Sequence, residues 1–489
     1  MTRYLAEHAW LPGAPGSPAD PLRGGPSYTE NDNKGPFLAS DVLVEVEGGR
    51  FAGVTPGVVA PPADAVRLPG LTLSGLANAH SHAFHRALRG RTHGGRGDFW
   101  SWRELMYAVA GRLDPDGYLA LARAAYGEMA LAGITCVGEF HYLHHGPGGR
   151  RYHDPNAMSA ALIEAAAQAG IRITLLDTLY LTAGVDGRPL SGPQLRFSDG
   201  DLDGWSERHD RLRARHDRPR DARERPHDAG DEPDDRPRDS GADPHVRIGA
   251  ALHSVRAVPA DAMAAFAHRN EGAPVHVHLS EQRAENEACR AAHGRTPTEL
   301  LAEHGVLGPA TTAVHATHLT GTDLRLLGGS GTGVCLCPTT ERDLADGIGP
   351  ARELADAGCP LSLGSDSHAV VDPFEEVRGM ELDERLRTES RGHFAPAELV
   401  TAATAAGHAA LGWADAGRIA VGQRADLVTV RLDSARTAGV PPVGAFFAAT
   451  AADVDRVVVD GRLVVAGGRH LGVDVPAELA AAIRKAVSP

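Results

Sequence analysis

Lysine is almost missing from this 489-residue chain, occurring only at Lys34 and Lys485. Neither lies in the stretch that carries the histidine motifs, so a two-metal centre bridged by a modified lysine cannot be built there. A single metal is favoured. The cysteines are few, scattered and odd in number: Cys136, Cys289, Cys335, Cys337 and Cys359. That pattern argues against a paired disulfide framework. Cys335-Leu-Cys337 has no second pair to complete a thiolate site, so all five are expected to be reduced and mostly buried. Positive charge is short as well, the formal net charge being -14. A basic face for nucleic acid is therefore not expected, although a few local arginines can still hold an anionic substrate. No apolar run approaches the roughly 20 residues of a membrane span. The opening Met1-Thr-Arg-Tyr-Leu-Ala-Glu-His8 lacks the apolar stretch of a secretory leader. The cytoplasm is the expected location.

What is present suffices for a large core: 42% of residues are hydrophobic, and mean hydropathy is −0.23. One big domain with a smaller companion is the natural division. The middle of the chain alternates strand and helix patterns. Strands are predicted over 71–79, 134–140, 171–181, 246–252, 274–279, 311–315, 333–337 and 360–364. Ala-, Leu- and Arg-rich helical stretches separate most of them, among them 116–132, 157–169, 259–268 and 296–304. Eight strands with helical crossovers predict a (β/α)₈ barrel over 71–412, with its chemistry at the C-terminal strand ends. Both chain ends are strand-rich. They are expected to form one small β-sandwich domain from 1–70 and 413–489. A Gly/Pro-rich loop is expected over 12–36. Residues 206–245 are nearly all charged, His, Pro or Gly, and are expected to be a disordered or solvated insert.

Four elements in order carry the chemistry. His80-Ser81-His82 ends an apolar run, and alternation along a strand turns both imidazoles to one face. Val275-His-Val-His278-Leu-Ser-Glu281 offers His278 or His276 as a third ligand, and spacing alone does not choose between them. Val314-His315-Ala-Thr-His318 ends the next strand; His315 could polarise a substrate atom, with His318 read as its structural neighbour. Leu363-Gly-Ser-Asp366 follows the last strand and offers a ligand or base. Histidines and an aspartate converging in this way can bind a divalent metal and leave a position open for water. Glu281 supplies a carboxylate for proton shuttling.

The order of these motifs resembles the amidohydrolase superfamily, in its single-metal deaminase branch. Three further stretches, Phe99-Trp-Ser-Trp-Arg-Glu-Leu-Met-Tyr107, Glu139-Phe-His-Tyr-Leu-His-His145 and Leu252-His-Ser-Val-Arg-Ala257, resemble the N-formimino-L-glutamate deiminases within it. The resemblance spans nearly the whole chain apart from 12–36 and 206–245. It implies zinc held by His80, His82, His278 and Asp366, with Glu281, His315 and Asp366 catalytic. It further implies that Arg103, Tyr142, His253 and Arg256 bind substrate. Arginine's planar fork independently suits a dicarboxylate. His85 stands where many relatives carry glutamine, and unlike glutamine it can become cationic near neutral pH. It is the remaining candidate for gripping substrate.

The implied reaction is hydrolysis of N-formimino-L-glutamate to N-formyl-L-glutamate and ammonia, a step of histidine degradation. One alternative is deamination of another amidine or of a guanine- or adenosine-like heterocycle. The other is a barrel kept as a non-catalytic scaffold. A homodimer is expected, symmetric dimers being the commonest assembly.

Overall fold

A computed structural model describes residues 1–13, 36–92, 99–216 and 245–487. Two eight-stranded sheets organise them. The first four strands are β1 (Thr2–Leu11), β2 (Phe37–Glu47), β3 (Arg50–Thr55) and β4 (Val66–Ser74). Then come β5 (Leu76–Ser81), β6 (Ile134–His141), β7 (Arg172–Leu179), β8 (Val246–Leu252), β9 (Val275–Leu279), β10 (Thr311–His315), β11 (Gly333–Leu336) and β12 (Leu361–Leu363). The last four are β13 (Leu427–Val430), β14 (Val454–Val459), β15 (Arg462–Ala466) and β16 (Arg469–His470). Strands β5 to β12 pair in sequence order and in parallel. Every residue of β5, β6 and β7 is buried, as expected where helices cover one face and a packed interior fills the other. This is the (β/α)₈ barrel.

The barrel closes at the site motifs. Ser81 bridges Asp366 in parallel register. The His82 amide donates to Asp366 O at 3.1 Å, and the Asp366 amide donates to His80 O at 3.0 Å. Glycine makes this approach possible: a Cβ on Gly364 would lie 2.8 Å from His80 Cβ and 2.9 Å from its carbonyl oxygen. The seam between first and last strands thus brings His80, His82 and Asp366 together.

The chain ends form the second sheet, in the order β16-β15-β14-β13-β4-β1-β2-β3. Only its β1–β4 pairing is parallel. Tyr4, Val42, Val44, Phe51, Leu427 and Val458 contribute to its apolar core. The single strand expected over 71–79 divides at Gly75. Leu71 to Ser74 pair with β13 in the terminal sheet, while Leu76 onward enters the barrel. A Cβ at Gly75 would sit 2.1 Å from Thr135 Oγ1, so the chain crosses between sheets where only glycine fits. The apolar run continues unbroken because both sheets bury it. The stretch over 455–465 is likewise a β14–β15 hairpin, turned by Asp460 and Gly461 at φ of 49° and 76°.

The helices along the first half of the barrel are α1 (Phe99–Arg112), α2 (Pro115–Leu131), α3 (Ala157–Ala169), α4 (Leu202–His216), α5 (Ala260–Arg269) and α6 (Arg283–His293). Helix α2 starts on an Asp114 cap that accepts from Gly117 N at 2.7 Å, with proline in its first turn. Helix Val475–Val487 leaves the terminal sheet and packs Val475 and Leu479 with Ala124 of α2.

Helix α4 corrects the reading of 206–245. Ser206 to His216 are helical, and Arg208, His209 and Leu212 are buried. Arg208 Nη1 bonds Asp177 Oδ1 at 2.6 Å, Arg208 Nε pairs with Asp199 at 2.9 Å, and His209 Nδ1 meets Asp177 at 3.1 Å. Trp205 stacks on His209. Average composition hides this, because pairing lets charged side chains do what apolar ones usually do. The remainder of that insert, 217–244, and most of the 12–36 loop lie outside the described residues. The five cysteines are free and buried. Among the described residues, no helix is long and apolar enough to cross a membrane.

Candidate active site

The C-terminal ends of the barrel strands gather His80, His82, His278 and Asp366 into one buried cluster, with ligand-type atoms all within 4.8 Å of one another. His80 Nε2 and His82 Nε2 each lie 3.4 Å from Asp366 Oδ1. His278 Nε2 is 3.2 Å from His80 Nε2. Backbone carbonyls decide the tautomers. His82 Nδ1–H donates to Phe140 O at 2.8 Å, and His278 Nδ1–H donates to His253 O at 2.9 Å. Their Nε2 lone pairs therefore face inward. Burial, then the neighbouring His80, push His82 down to about 3, with Asp366 and the Phe140 carbonyl opposing. A neutral imidazole is the form that ligates a cation. Converging lone pairs 3.2 Å apart repel unless a cation or a proton lies between them. Three neutral histidines and a carboxylate fit a divalent metal.

The other candidate ligand points elsewhere: His276 Nε2 faces Ala410 O at 3.2 Å, away from the cluster. His318 lies beside a separate surface hollow formed with Arg283, Asn286 and Asp346.

A cavity of about 660 Å³ opens onto the cluster. Glu281, His315, His85, Arg103, Tyr142, His253 and Arg256 all line it. His315 sits between two carboxylates, with Nδ1 3.3 Å from Glu341 Oε1 and Nε2 3.8 Å from Asp366 Oδ2. Burial alone would lower it, but the Glu341 hydrogen bond and the charges of Glu281 and Asp366 carry it up to about 10. Cys337 joins His315 and Glu341 in a second convergence of ligand-type atoms. There Glu341 Oε1 already accepts from the Cys337 amide at 2.9 Å, so this group acts as a bracket for His315. His85 Nε2 lies 2.9 Å from the Tyr142 hydroxyl, and its ring packs edge-on against Trp102. Arg103 Nε donates to Tyr107 OH at 2.5 Å. Arg256 Nη2 donates to Glu281 Oε2 at 2.9 Å and so orients that carboxylate.

Several participants escaped the sequence reading. Glu139 accepts from the Ala83 amide at 2.7 Å and from Ser81 Oγ at 2.9 Å, holding the turn between the two histidines. Burial lifts its carboxyl to about 7 against those hydrogen bonds. Glu341 gave no signal, since its contact with His315 exists only across strands. Glu285 gave none either: Glu281 precedes α6 while Glu285 lies in its first turn, and only the folded loop brings both to the cavity wall. Ser280, His315, Ala316, Asp366 and His368 all have positive φ. Such backbone is costly and gathers where function over-determines it.

Comparison with known proteins accords with this architecture. The amidohydrolase family model matches residues 68–464. The chain belongs to the amidohydrolase family. This amidohydrolase is a hydrolase of carbon–nitrogen bonds. It is 37% identical over 450 residues to a formimidoylglutamate deiminase of Pseudomonas aeruginosa, covering 89% of this chain and 93% of the relative. It is 30% identical over 418 residues to an 8-oxoguanine deaminase of the same organism, covering 84% of this chain and 85% of that one. Among solved structures, an amidohydrolase from Brucella melitensis superposes with a TM-score of 0.81 at 28% identity, covering 100% of both chains. A zinc-bound adenosine deaminase from Xanthomonas campestris gives 0.77 at 23% identity over 99% of this chain and 97% of that one, a likeness that speaks for the fold alone.

Proposed function

We propose that this amidohydrolase hydrolyses N-formimino-L-glutamate to N-formyl-L-glutamate and ammonia, in histidine degradation, with one zinc ion held by His80, His82, His278 and Asp366. The observation that carries the reading is two of the three guanidinium groups lining the cavity that opens onto the donor cluster, Arg103 and Arg256, the third, Arg188, being paired with Asp186. Two cations suit a substrate with two carboxylates. The likeness to the Pseudomonas formimidoylglutamate deiminase supports the same substrate.

Held by these four residues, a divalent ion would supply the Lewis acidity that makes water a usable nucleophile near neutral pH. Asp366 takes the proton that water gives up. The water oxygen bonds to the formimino carbon, and the bond from that carbon to the terminal nitrogen breaks. The formimino group enters protonated, and Glu281, oriented by Arg256, carries the proton of the newly bonded hydroxyl to the terminal nitrogen, which leaves as ammonia while that oxygen becomes the formyl carbonyl; Asp366 then gives its proton to solvent. His315, kept cationic by Glu341, faces the negative charge that builds on the attacking oxygen. Arg103, Tyr142, His253 and Arg256 hold the dicarboxylate, with His85 steadied by Tyr142 beside them.

A second reading, deamination of an aminated heterocycle, draws on the apolar wall that Ala284, Ala288 and Ala291 of α6 give the cavity. The test is proton NMR of the products from zinc-loaded protein and N-formimino-L-glutamate, run beside an ammonia assay. Formylglutamate with ammonia is the expected result. Glutamate with formamide would mean that the other C–N bond is cut. Turnover of guanine or adenosine compounds alone would transfer the assignment to the second reading.

A further inference from the structure

Glu285 lines the catalytic cavity and has no part in the chemistry above. Its side chain is 0% exposed, and the Ser280 amide is the hydrogen-bond donor that acts on its carboxylate. A buried carboxyl left in that condition is costly, so its position calls for a reason. The nearest opposite charge is Arg256, whose Nε lies 3.5 Å from Glu285 Oε2. The same guanidinium gives Nη2 to Glu281 at 2.9 Å and Nε to Ser254 Oγ at 3.4 Å. One cation thus serves two carboxylates before any substrate arrives. A substrate carboxylate at Arg256 would be a third anion around it.

We propose that Glu285 is a positioning residue for substrate capture: ionised, it holds Arg256 beside Glu281, and it takes up one proton from solvent when a substrate carboxylate reaches that guanidinium. The proposal rests on the deimination reading for the identity of the anion. The charge count is simple. Arg256 serves Glu281 and Glu285 with the cationic His315 beside them; an entering carboxylate adds one negative charge, and protonating Glu285 removes one. Protonation also relieves a buried carboxylate of the cost of carrying charge away from water.

The surroundings allow it. Burial foremost lifts Glu285 to about 7. Arg256 lowers it, Glu281 raises it, and the Ser280 amide and His315 lower it further. On its own helix the facing group is the Cys289 thiol, itself pushed up to about 12, first by burial and then by Glu285.

Two measurements test this on the zinc-loaded, full-length protein. The first is calorimetric titration of N-formyl-L-glutamate, which carries both carboxylates and does not turn over, at pH 8 in two buffers of different ionisation heat. Uptake of about one proton per ligand bound is expected for the wild type, and none for Glu285→Gln. The second is the pH profile of turnover. Wild-type KM should rise by up to about tenfold per pH unit above roughly pH 7 while kcat moves little. In E285Q, KM should stay low and flat at unchanged zinc content. A residue with a merely structural role would shift melting without moving proton uptake. Turnover of N-formimino-L-glutamate with no proton uptake on ligand binding overturns this proposal alone. Absence of both turnover and binding overturns the deimination reading and this proposal together. The wild-type titration needs no variant, so absence of proton uptake there overturns the proposal whether or not E285Q folds.

Discussion

Two buried polar clusters in this molecule are built on opposite principles. At the contact between barrel and terminal sheet, Arg172 and Asp426 are both 0% exposed and form a two-pronged pair, with Asp460 adding a contact to Arg172 at 3.1 Å. Every charge there meets an opposite charge, and Trp413 covers the guanidinium. At the barrel mouth, His80, His82, His278 and Asp366 turn ligand-type atoms toward one another, all within 4.8 Å. The first cluster is closed and ties two sheets together. The second converges donor atoms of the kind that hold a divalent metal. Burial alone does not distinguish structure from function. The sign pattern of the buried groups does.

The largest expected effect comes from breaking the donor cluster at the barrel mouth. Asp366→Ala should lower kcat on the order of 10²–10⁴-fold and deplete metal, read by elemental analysis beside steady-state rates, while melting shifts little. A variant with full metal content and turnover would remove Asp366 from the site. Breaking the closed cluster should do the reverse. Arg172→Met strands the Asp426 carboxylate in the interior and should cost about 3–5 kcal/mol in chemical unfolding. The fraction that stays folded should keep its metal and its turnover. Equal loss of stability from both variants would erase the distinction between the clusters.

A smaller effect sharpens the same contrast at the Asp177–Asp199–Arg208 network, which is also closed. Burial alone would raise Asp199, but His145 and Arg208 carry it down to about 2. A carboxyl depressed on folding contributes stability above its ordinary pKa and loses it as pH falls through the folded value. The contribution should therefore drain between about pH 4 and pH 2. Asp199→Asn should cost about 2 kcal/mol at neutral pH. It should also flatten the unfolding free energy across that acid window, measured by urea titration at several pH values. An unchanged slope would mean that helix α4 is held by Trp205 and Leu212 rather than by its charges.

The legible part of the fold was what local pattern encodes. Period-two alternation marked His80 and His82 as sharing a face, and apolar runs ending in polar residues marked the barrel strands. The choice between His276 and His278 was not legible, because both share a strand face. Only the depth at which β9 meets the barrel mouth separates them, with His276 turned to Ala410. The division at Gly75 was hidden for a related reason: a run buried in two successive sheets has the same composition as one buried in a single sheet. Helix α4 was obscured because composition counts charges without knowing which are paired.

By itself the sequence determined the strand–helix alternation, the candidate donors and the scarcity of lysine that excludes a lysine-bridged centre. Those are properties of neighbouring residues and of residue type, and they need no three-dimensional contact. Tertiary structure alone decided that the seam of the barrel passes through His80, His82 and Asp366, and that Glu341 brackets His315. It also decided that Arg256 stands between Glu281 and Glu285. Each of these is a meeting of groups from different strands or loops, set by how the barrel closes. Charge and hydrogen bonding act over a few ångströms of space, whatever the separation along the chain.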